Sequence, residues 1–448
     1  MLVGSVSQPN TASRISRRKT ALQVVVAAAA LSLGVAACSS GISHVESHAS
    51  SGWPSYGGTD GNANFSTATV PDNLALNWSR PTGGPISAQP VISGKDAIGI
   101  TADTENGCNT FYFDAAAGRK LYCKRLQGGA QLSSLLLDQY DNAYIGVPGT
   151  FFGLNTTGAV RWQTPTVGLA LSAKFAGPAT VLAVTQQGQV QLINAQTGRL
   201  QAAPVTLRTD TDASNPGNGL GDCVDNGPRC PVPAAPAVDV KRQQFYLNFW
   251  PQGKIASQVR AFDYSEVKGT KTIRDAWTAD IPGGVIGSPV LSPDSSALYI
   301  YNRLGSLYAL DAASGKQLWN YNVGGYGMGT MAVSPNGTIV PTGVLGAPLV
   351  AIKNDGGKPT ALWHRDDLHT ASTATLLSNG TGWVAVRDAG KDTLSLVEFD
   401  AANGATKRTL PLPDSLGYVT GIAVSSGGEL VATTQIGNVY QFSARSGS

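Results

Sequence analysis

One short unit repeats along this chain and leaves few folds open to it. Its clearest copy is Ser306-Leu307-Tyr308-Ala309-Leu310-Asp311-Ala312-Ala313-Ser314-Gly315-Lys316-Gln317-Leu318-Trp319. Apolar residues on either side of 311–315 predict two strands joined by a tight turn. Asp or Asn opens such a turn because its side-chain oxygen accepts from backbone amides two residues on. Gly closes it because a positive φ costs Gly nothing. The pattern recurs at 114–118, 155–158, 194–198, 263–269, 354–357, 400–404 and, opened by Ser, at 443–447. First residues are spaced 41, 39, 69, 48, 43, 46 and 43 apart. An aromatic follows the Gly by four residues in Tyr122, Trp162 and Trp319, and by slightly more in Trp277 and Trp363.

Two further apolar runs precede each hairpin. The first opens with a small residue or Pro, as in Ser288-Pro289-Val290-Leu291 and Ala88-Gln89-Pro90-Val91. The second alternates, as in Ala297-Leu298-Tyr299-Ile300. Four strands in a unit of about 45 residues describe a propeller blade. The chain stops just after 443–447, so its last unit lacks a fourth strand, while Ala75-Leu76-Asn77-Trp78-Ser79 is a strand without a unit. Pairing the two closes the ring and removes a free edge. The expectation is an all-β, eight-bladed β-propeller of four-stranded antiparallel blades over 53–448, closed by its N- and C-terminal strands. A sandwich array or a β-helix explains neither the period nor the complementary ends.

The first 37 residues read as a signal peptide. Arg14, Arg17, Arg18 and Lys19 precede an apolar run from Ala21 to Ala37 that is short and weak for a spanning helix. Arg17-Arg18 also fits a twin-arginine signal, but Lys19-Thr20-Ala21 lacks its usual bulky apolar residue, so the export route stays open. Val35-Ala36-Ala37-Cys38 has the form of a lipobox, which makes Cys38 the expected lipid attachment and the membrane its partner. Residues 38–52, rich in Ser, read as a solvated tether reaching up to about 50 Å from that lipid. The basic cluster carries four positive charges and no acidic residue, leaving the body at −1 against a chain total of +3. A near-neutral body argues against nucleic acid as a ligand.

Lipidation of Cys38 leaves four cysteines. Cys223 and Cys230 bracket a short loop; Cys108 and Cys123 flank one hairpin with its turn midway between them. Two disulfides are expected, as suits a chain outside the cytoplasm. Zinc is disfavoured, since no Cys-x-x-Cys exists and two of the four His lie in the tether.

The repeat from Tyr308 to Trp319 resembles that of the quinoprotein-type (pyrroloquinoline-quinone-like, PQQ-like) eight-bladed propellers. Trp53-Pro54-Ser55-Tyr56-Gly57-Gly58, running on to Asn64-Phe65-Ser66, is similar to the start of that family. The resemblance covers essentially all of 53–448. It implies the fold but divides on activity: the family holds quinone-dependent alcohol and sugar dehydrogenases and also non-enzymatic propeller lipoproteins of the barrel-assembly machinery. In the dehydrogenases the quinone lies between a Trp and a disulfide of adjacent cysteines, Ca²⁺ takes Glu, Asn and Asp oxygens, and an Asp is the base. This chain has no adjacent Cys pair and no Cys-x-x-Cys-His. The resemblance therefore implies a monomeric, non-catalytic scaffold without cofactor, binding envelope proteins or cell-wall polymer. A PQQ–Ca²⁺ dehydrogenase and a carbohydrate-binding propeller are the alternatives.

Candidate contact residues gather where the spacing jumps to 69. The insertion, about 208–233, holds Asp210, Asp212, Asp222 and Asp225 beside the expected Cys223–Cys230 clamp; long loops in compact folds are commonly functional. Its oxygens invite Ca²⁺, but Asn215 stands where an EF-hand needs Gly, and Gly221 where it needs Glu. Trp250 is expected at a strand end, either stacking on sugar or peptide or packing between blades. His364 and His369 flank Arg365-Asp366-Asp367, expected to form a polar loop after a fourth strand. No catalytic residue or metal ligand is assigned.

Overall fold

A computed structural model describes residues 46–448 except 106, 226–228, 268–269, 326–328, 344–346 and 446–448. The signal peptide, Cys38 and the end of the 443–447 turn lie outside the described residues. Eight antiparallel blades follow one another: blade 1 (91–124), blade 2 (136–165), blade 3 (174–206), blade 4 (237–281), blade 5 (290–322), blade 6 (331–369), blade 7 (375–412) and blade 8 (419–444). Blade 8 takes its outer strand from the other end of the chain. Leu74–Pro81 pairs antiparallel with Asn438–Ala444, Leu76 opposite Phe442 and Ser79 opposite Tyr440, as the unmatched ends predict.

The aromatic period has a physical reason. The Trp78, Trp162, Trp277 and Trp363 indole N–H groups donate to the carbonyls of Ala115, Ala195, Ala312 and Ala401, each in the outer hairpin turn of the next blade. Asp or Asn fixes those turns: Asp114 Oδ1 accepts from the Ala117 amide at 2.9 Å, and Asp311 Oδ1 from the Ser314 amide at 2.8 Å. The closing Gly lies under the ring. Gly198 has φ 70°, and a Cβ there would sit 2.7 Å from the Trp162 ring. Gly198→Ala is therefore expected to lower stability by more than about 1 kcal/mol. Gly128→Ala, which points into open space, should stay within about 0.5 kcal/mol. Urea midpoints compare the two.

Two hairpins differ from the sequence reading. In blade 4, Ser257–Val267 runs through Asp263, which faces Arg274, and Val267 pairs with Thr270, so Asp263 lies within a strand and does not open a turn. In blade 6, Pro348–Asp355 pairs with Lys358–His369 across Gly356-Gly357, both at positive φ. His364 to His369 thus belong to an outer strand, not to a loop after it. Blade 3 is the weak one: its outer strand shrinks to Val205–Thr206, and Ala202 stands where other blades carry an aromatic.

The largest correction concerns the tether. Residues 46–52 do not hang free: they cross blades 3, 2 and 1 in that order, Ser47 and Ser50 buried while Glu46, His48 and Ser51 face solvent. Ser47 is fully buried, its carbonyl accepting from Ala179 at 2.8 Å. Ala49 bridges to Asp138, Ser50 N–H donates to Leu137 O at 2.9 Å, and Gly94 N–H to Ser50 Oγ at 2.8 Å. A run of Ser, His and Ala looks unable to bury anything, but here its backbone pairs with an existing edge.

The next stretch then winds through the blades in ring order. Trp53, Pro54, Asp60, Gly61, Ala63 and Asn64 carbonyls accept, at 2.8–2.9 Å, from the inner strands of blades 1, 2, 4, 5, 6 and 7: Ile92, Leu137, Val238, Leu291, Val333 and Leu376. Phe65–Ser66 adds a parallel pair to Leu376 and Leu377. Left-handed Gly57, Gly58, Asn62 and Asn64 allow the tight path. Inner edges that would otherwise be unpaired are thereby capped.

Candidate functional site

Loops ahead of the inner strands of blades 1 to 5 and 8 line one cavity. The small residue that opens each blade in the sequence lies there: Ala88, Ser134, Ser172, Ala235 and Ser288 for blades 1 to 5, with Tyr418 ahead of blade 8. Larger side chains would fill the axis; these leave a funnel of about 390 Å³. Tyr56 from the wound segment lines it. Burial pushes the Tyr56 phenol up, partly offset by the Ser288 hydroxyl. Among the described residues, none that lines the funnel carries a charge.

Lys174, on the inner strand of blade 3, is fully buried against the same segment. Its Nζ donates to Tyr56 O, to Thr59 O at 2.6 Å and to Ser55 Oγ at 3.0 Å. Burial pulls the ammonium down to about 7 against the opposing pull of Asp60. Burial likewise raises the Asp60 carboxyl, with Lys174 working against it. The sequence reading missed this pair. The available signal was a Lys in an inner-strand slot, Ala173-Lys174-Phe175, that apolar residues fill in most other blades.

The insertion forms the rim, and two glutamines from the blade 3 turn organise it. Gln186 Nε2 donates to Pro216 O and Asn218 O; Gln187 Nε2 donates to Asn215 O while its Oε1 accepts from the Asp212 amide at 2.7 Å. Leu220–Asp225 is a short helix, and Cys223 on it is joined to Cys230. Cys108 and Cys123 are also joined. Replacing both Cys223 and Cys230 by Ala should remove at most about 2–3 kcal/mol, since the closed loop is short. Chemical denaturation measures this, and alkylation of the unreduced protein should find no thiol among the four.

The predicted contact residues serve the loop itself. Asp210 accepts from Arg208 Nε at 2.6 Å, Asp212 Oδ1 from the Ser214 hydroxyl and amide, and Asp222 from Arg229 Nη2 at 2.8 Å. These hydrogen bonds hold all three carboxyls below the usual carboxylate range. The Asp225 side chain lies outside the described residues. Trp250 is neither a core residue nor an open platform. It is half-buried, its indole donates to Lys254 O, and its amide donates to Pro231 O at 2.7 Å, pinning the end of the insertion. His364 Nδ1 is 3.4 Å from Asp366, both well exposed, while Arg365 pairs with Asp367. The strand brings no further catalytic group to them. Among the described residues no three His, Cys, Asp or Glu side chains are grouped to hold a metal, and no helix is long and apolar enough to cross a membrane.

A quinone with its Ca²⁺ does not fit these walls. The family's cation takes Glu, Asn and Asp oxygens, and none of these residue types lines the funnel. Cys223 and Cys230 are seven residues apart, not adjacent.

The family profile described as "Outer membrane protein assembly factor BamB" matches residues 257–448. Protein Rv3035 of Mycobacterium tuberculosis is 33% identical over 410 residues, spanning 90% of this chain and 99% of that protein. Outer membrane protein assembly factor BamB of Yersinia pestis is 28% identical over 327 residues, 70% of this chain and 72% of that one. Among solved structures, quinohemoprotein alcohol dehydrogenase from Comamonas testosteroni shares the fold, with TM-score 0.63 at 12% identity over 89% of this chain and 81% of that one. With its repeat and its ring closure the chain is an eight-bladed propeller of the PQQ-like kind, and it belongs to one family with mycobacterial Protein Rv3035.

Proposed function

We propose that this propeller is a non-catalytic scaffold of the cell envelope, a monomer without cofactor. It is exported, held to the outside of a membrane by lipid on Cys38, and binds an envelope protein through the face bearing the funnel and the clamped insertion. One observation carries the reading. Asp210, Asp212 and Asp222 are spent on folding the insertion, and the described residues leave a concavity without charge, braced by the Cys223–Cys230 bridge. Such a surface suits recognition more than acid–base or nucleophilic chemistry. Two disulfides support an oxidising compartment. Similarity to an assembly factor of the outer membrane supports an envelope protein as the partner.

Cell fractionation tests the anchor. Cys38→Ala should move the protein from membranes to the soluble exported fraction, and mass spectrometry of the wild type should find Cys38 acylated. A variant as membrane-bound as wild type contradicts the lipid assignment. Reconstitution with PQQ and Ca²⁺, followed by dye reduction over alcohols and sugars, should give no turnover; turnover would favour the dehydrogenase alternative.

A further inference from the structure

The funnel does not stand alone. Beside it an open groove of about 580 Å³ runs between the loop ahead of blade 2 and the insertion, and the two share Leu132. Gly128, Gly129, Gly217 and Gly221 form much of its walls, with room at three of them: a Cβ on Gly128 or Gly221 would meet nothing within 4 Å, and one on Gly217 nothing nearer than 3.9 Å. The polar groups along it are the side-chain amides of Gln127, Gln131 and Asn215; the Gly129 amide already donates to Gln131 Oε1, and the Gly129 and Gly217 carbonyls accept from Leu132 and Leu220. Leu132 and Leu220 sit at the junction, packed on Leu171 and the Cys223–Cys230 bridge. Among the described residues, none that lines either cavity is charged.

From this geometry we infer that the groove and funnel together bind an extended, uncharged stretch of a partner polypeptide, with one aliphatic or aromatic side chain seated in the funnel. The inference rests on the scaffold reading and names the chemistry of its partner. An extended peptide offers backbone donors and acceptors along its length, which the side-chain amides of the groove can meet, and its alternate side chains need pockets. A charged ligand buried here would find no counter-charge and lose its hydration. This disfavours anionic wall polymers and lipid headgroups. Sugars stack on flat aromatic faces, but among the described lining residues the aromatics are Tyr56 and Tyr418 alone, set among aliphatic, small and amide side chains.

The test uses the full-length chain in detergent and fluorescence anisotropy. The probe is a short labelled peptide of Gly, Ser, Thr and Gln with one central Leu. It should bind with an affinity insensitive to salt. Changing the Leu to Ser, or flanking it with Asp or Lys, should weaken binding at least about tenfold. Leu220→Asp should do the same, as should Gly221→Trp, which fills the groove from a position with free space. Tyr140→Asp, in the turn at the other end of blade 2, should change nothing. Equal binding of charged peptides, displacement by cellohexaose, unchanged affinity in both groove variants, or no peptide binding would each overturn the inference. If it falls while an envelope protein still cross-links to the chain in cells, the scaffold reading survives it.

Discussion

Deleting residues 46–81 is expected to abolish the folded ring, whereas deleting 46–52 should leave a folded but weakened one. The longer deletion removes the six carbonyls that cap inner strands of six blades, the acceptors of Lys174, the buried Trp53 and the outer strand of blade 8. Each lost hydrogen bond that leaves a buried group unpaired costs about 1–3 kcal/mol. Six of them come to about 6–18 kcal/mol, which matches the roughly 5–15 kcal/mol by which a whole domain is stable, and the opened blade edge adds to the loss. The shorter deletion removes the contacts of Ser47, His48 and Ser50 with blades 1 to 3 and should cost about 3–5 kcal/mol. Circular dichroism melts of the two exported variants distinguish them. Identical melting temperatures would mean that neither the winding nor the closing strand holds the ring.

Lys174→Met should lower stability by about 3–5 kcal/mol near neutral pH, because Asp60 and the Tyr56 and Thr59 carbonyls lose their buried cation. The wild type should also carry a pH signature. With the folded ammonium near 7 and the ordinary lysine value at 10.5, the folded state binds fewer protons than the unfolded state between those limits. Stability then rises with pH across that window, by up to about 4–5 kcal/mol, and is lost as pH falls through 7. Lys271, half-buried against Thr180 and also pulled down by burial, adds a smaller rise of the same sign. Lys174→Met should therefore flatten most of the slope without removing it all. Urea midpoints between pH 7 and 9.5 measure this, and a wild type with no slope would place the proton on Lys174 throughout.

The ring was legible because its signals are local and repeated. Asp311 to Gly315 can only be a tight turn, and an aromatic recurs at the place of Trp319 in six of the eight blades, where it covers the next blade's turn. The unmatched Trp78 strand likewise pointed to the closure that Leu74–Pro81 makes. The turn at 263–269 was misplaced because an Asp opening and a Gly closing do not show how far the strands extend beyond them. Residues 46–52 were misread because backbone pairing with a distant edge leaves no hydrophobic pattern in Ser47, His48 or Ser50. The site was legible only in outline. The insertion stood out by length, but its Asp residues looked like free ligands until Arg208, Ser214 and Arg229 were seen to occupy them. Funnel residues such as Ala88 and Ser288 were visible as blade openers, yet convergence on an axis is a property of the closed ring and not of any one repeat. Lys174 had a signal in its apolar strand, but its partners lie over a hundred residues away, in the wound segment.

Photo-cross-linking in living cells tests the scaffold account most directly. One benzoylphenylalanine probe replaces Gln131 at the groove; another replaces exposed Tyr140 at the opposite end of blade 2. The account predicts a defined adduct with an envelope protein from Gln131 and none from Tyr140, lost on adding Leu220→Asp. Adducts from Tyr140 alone, or from neither position, would contradict it.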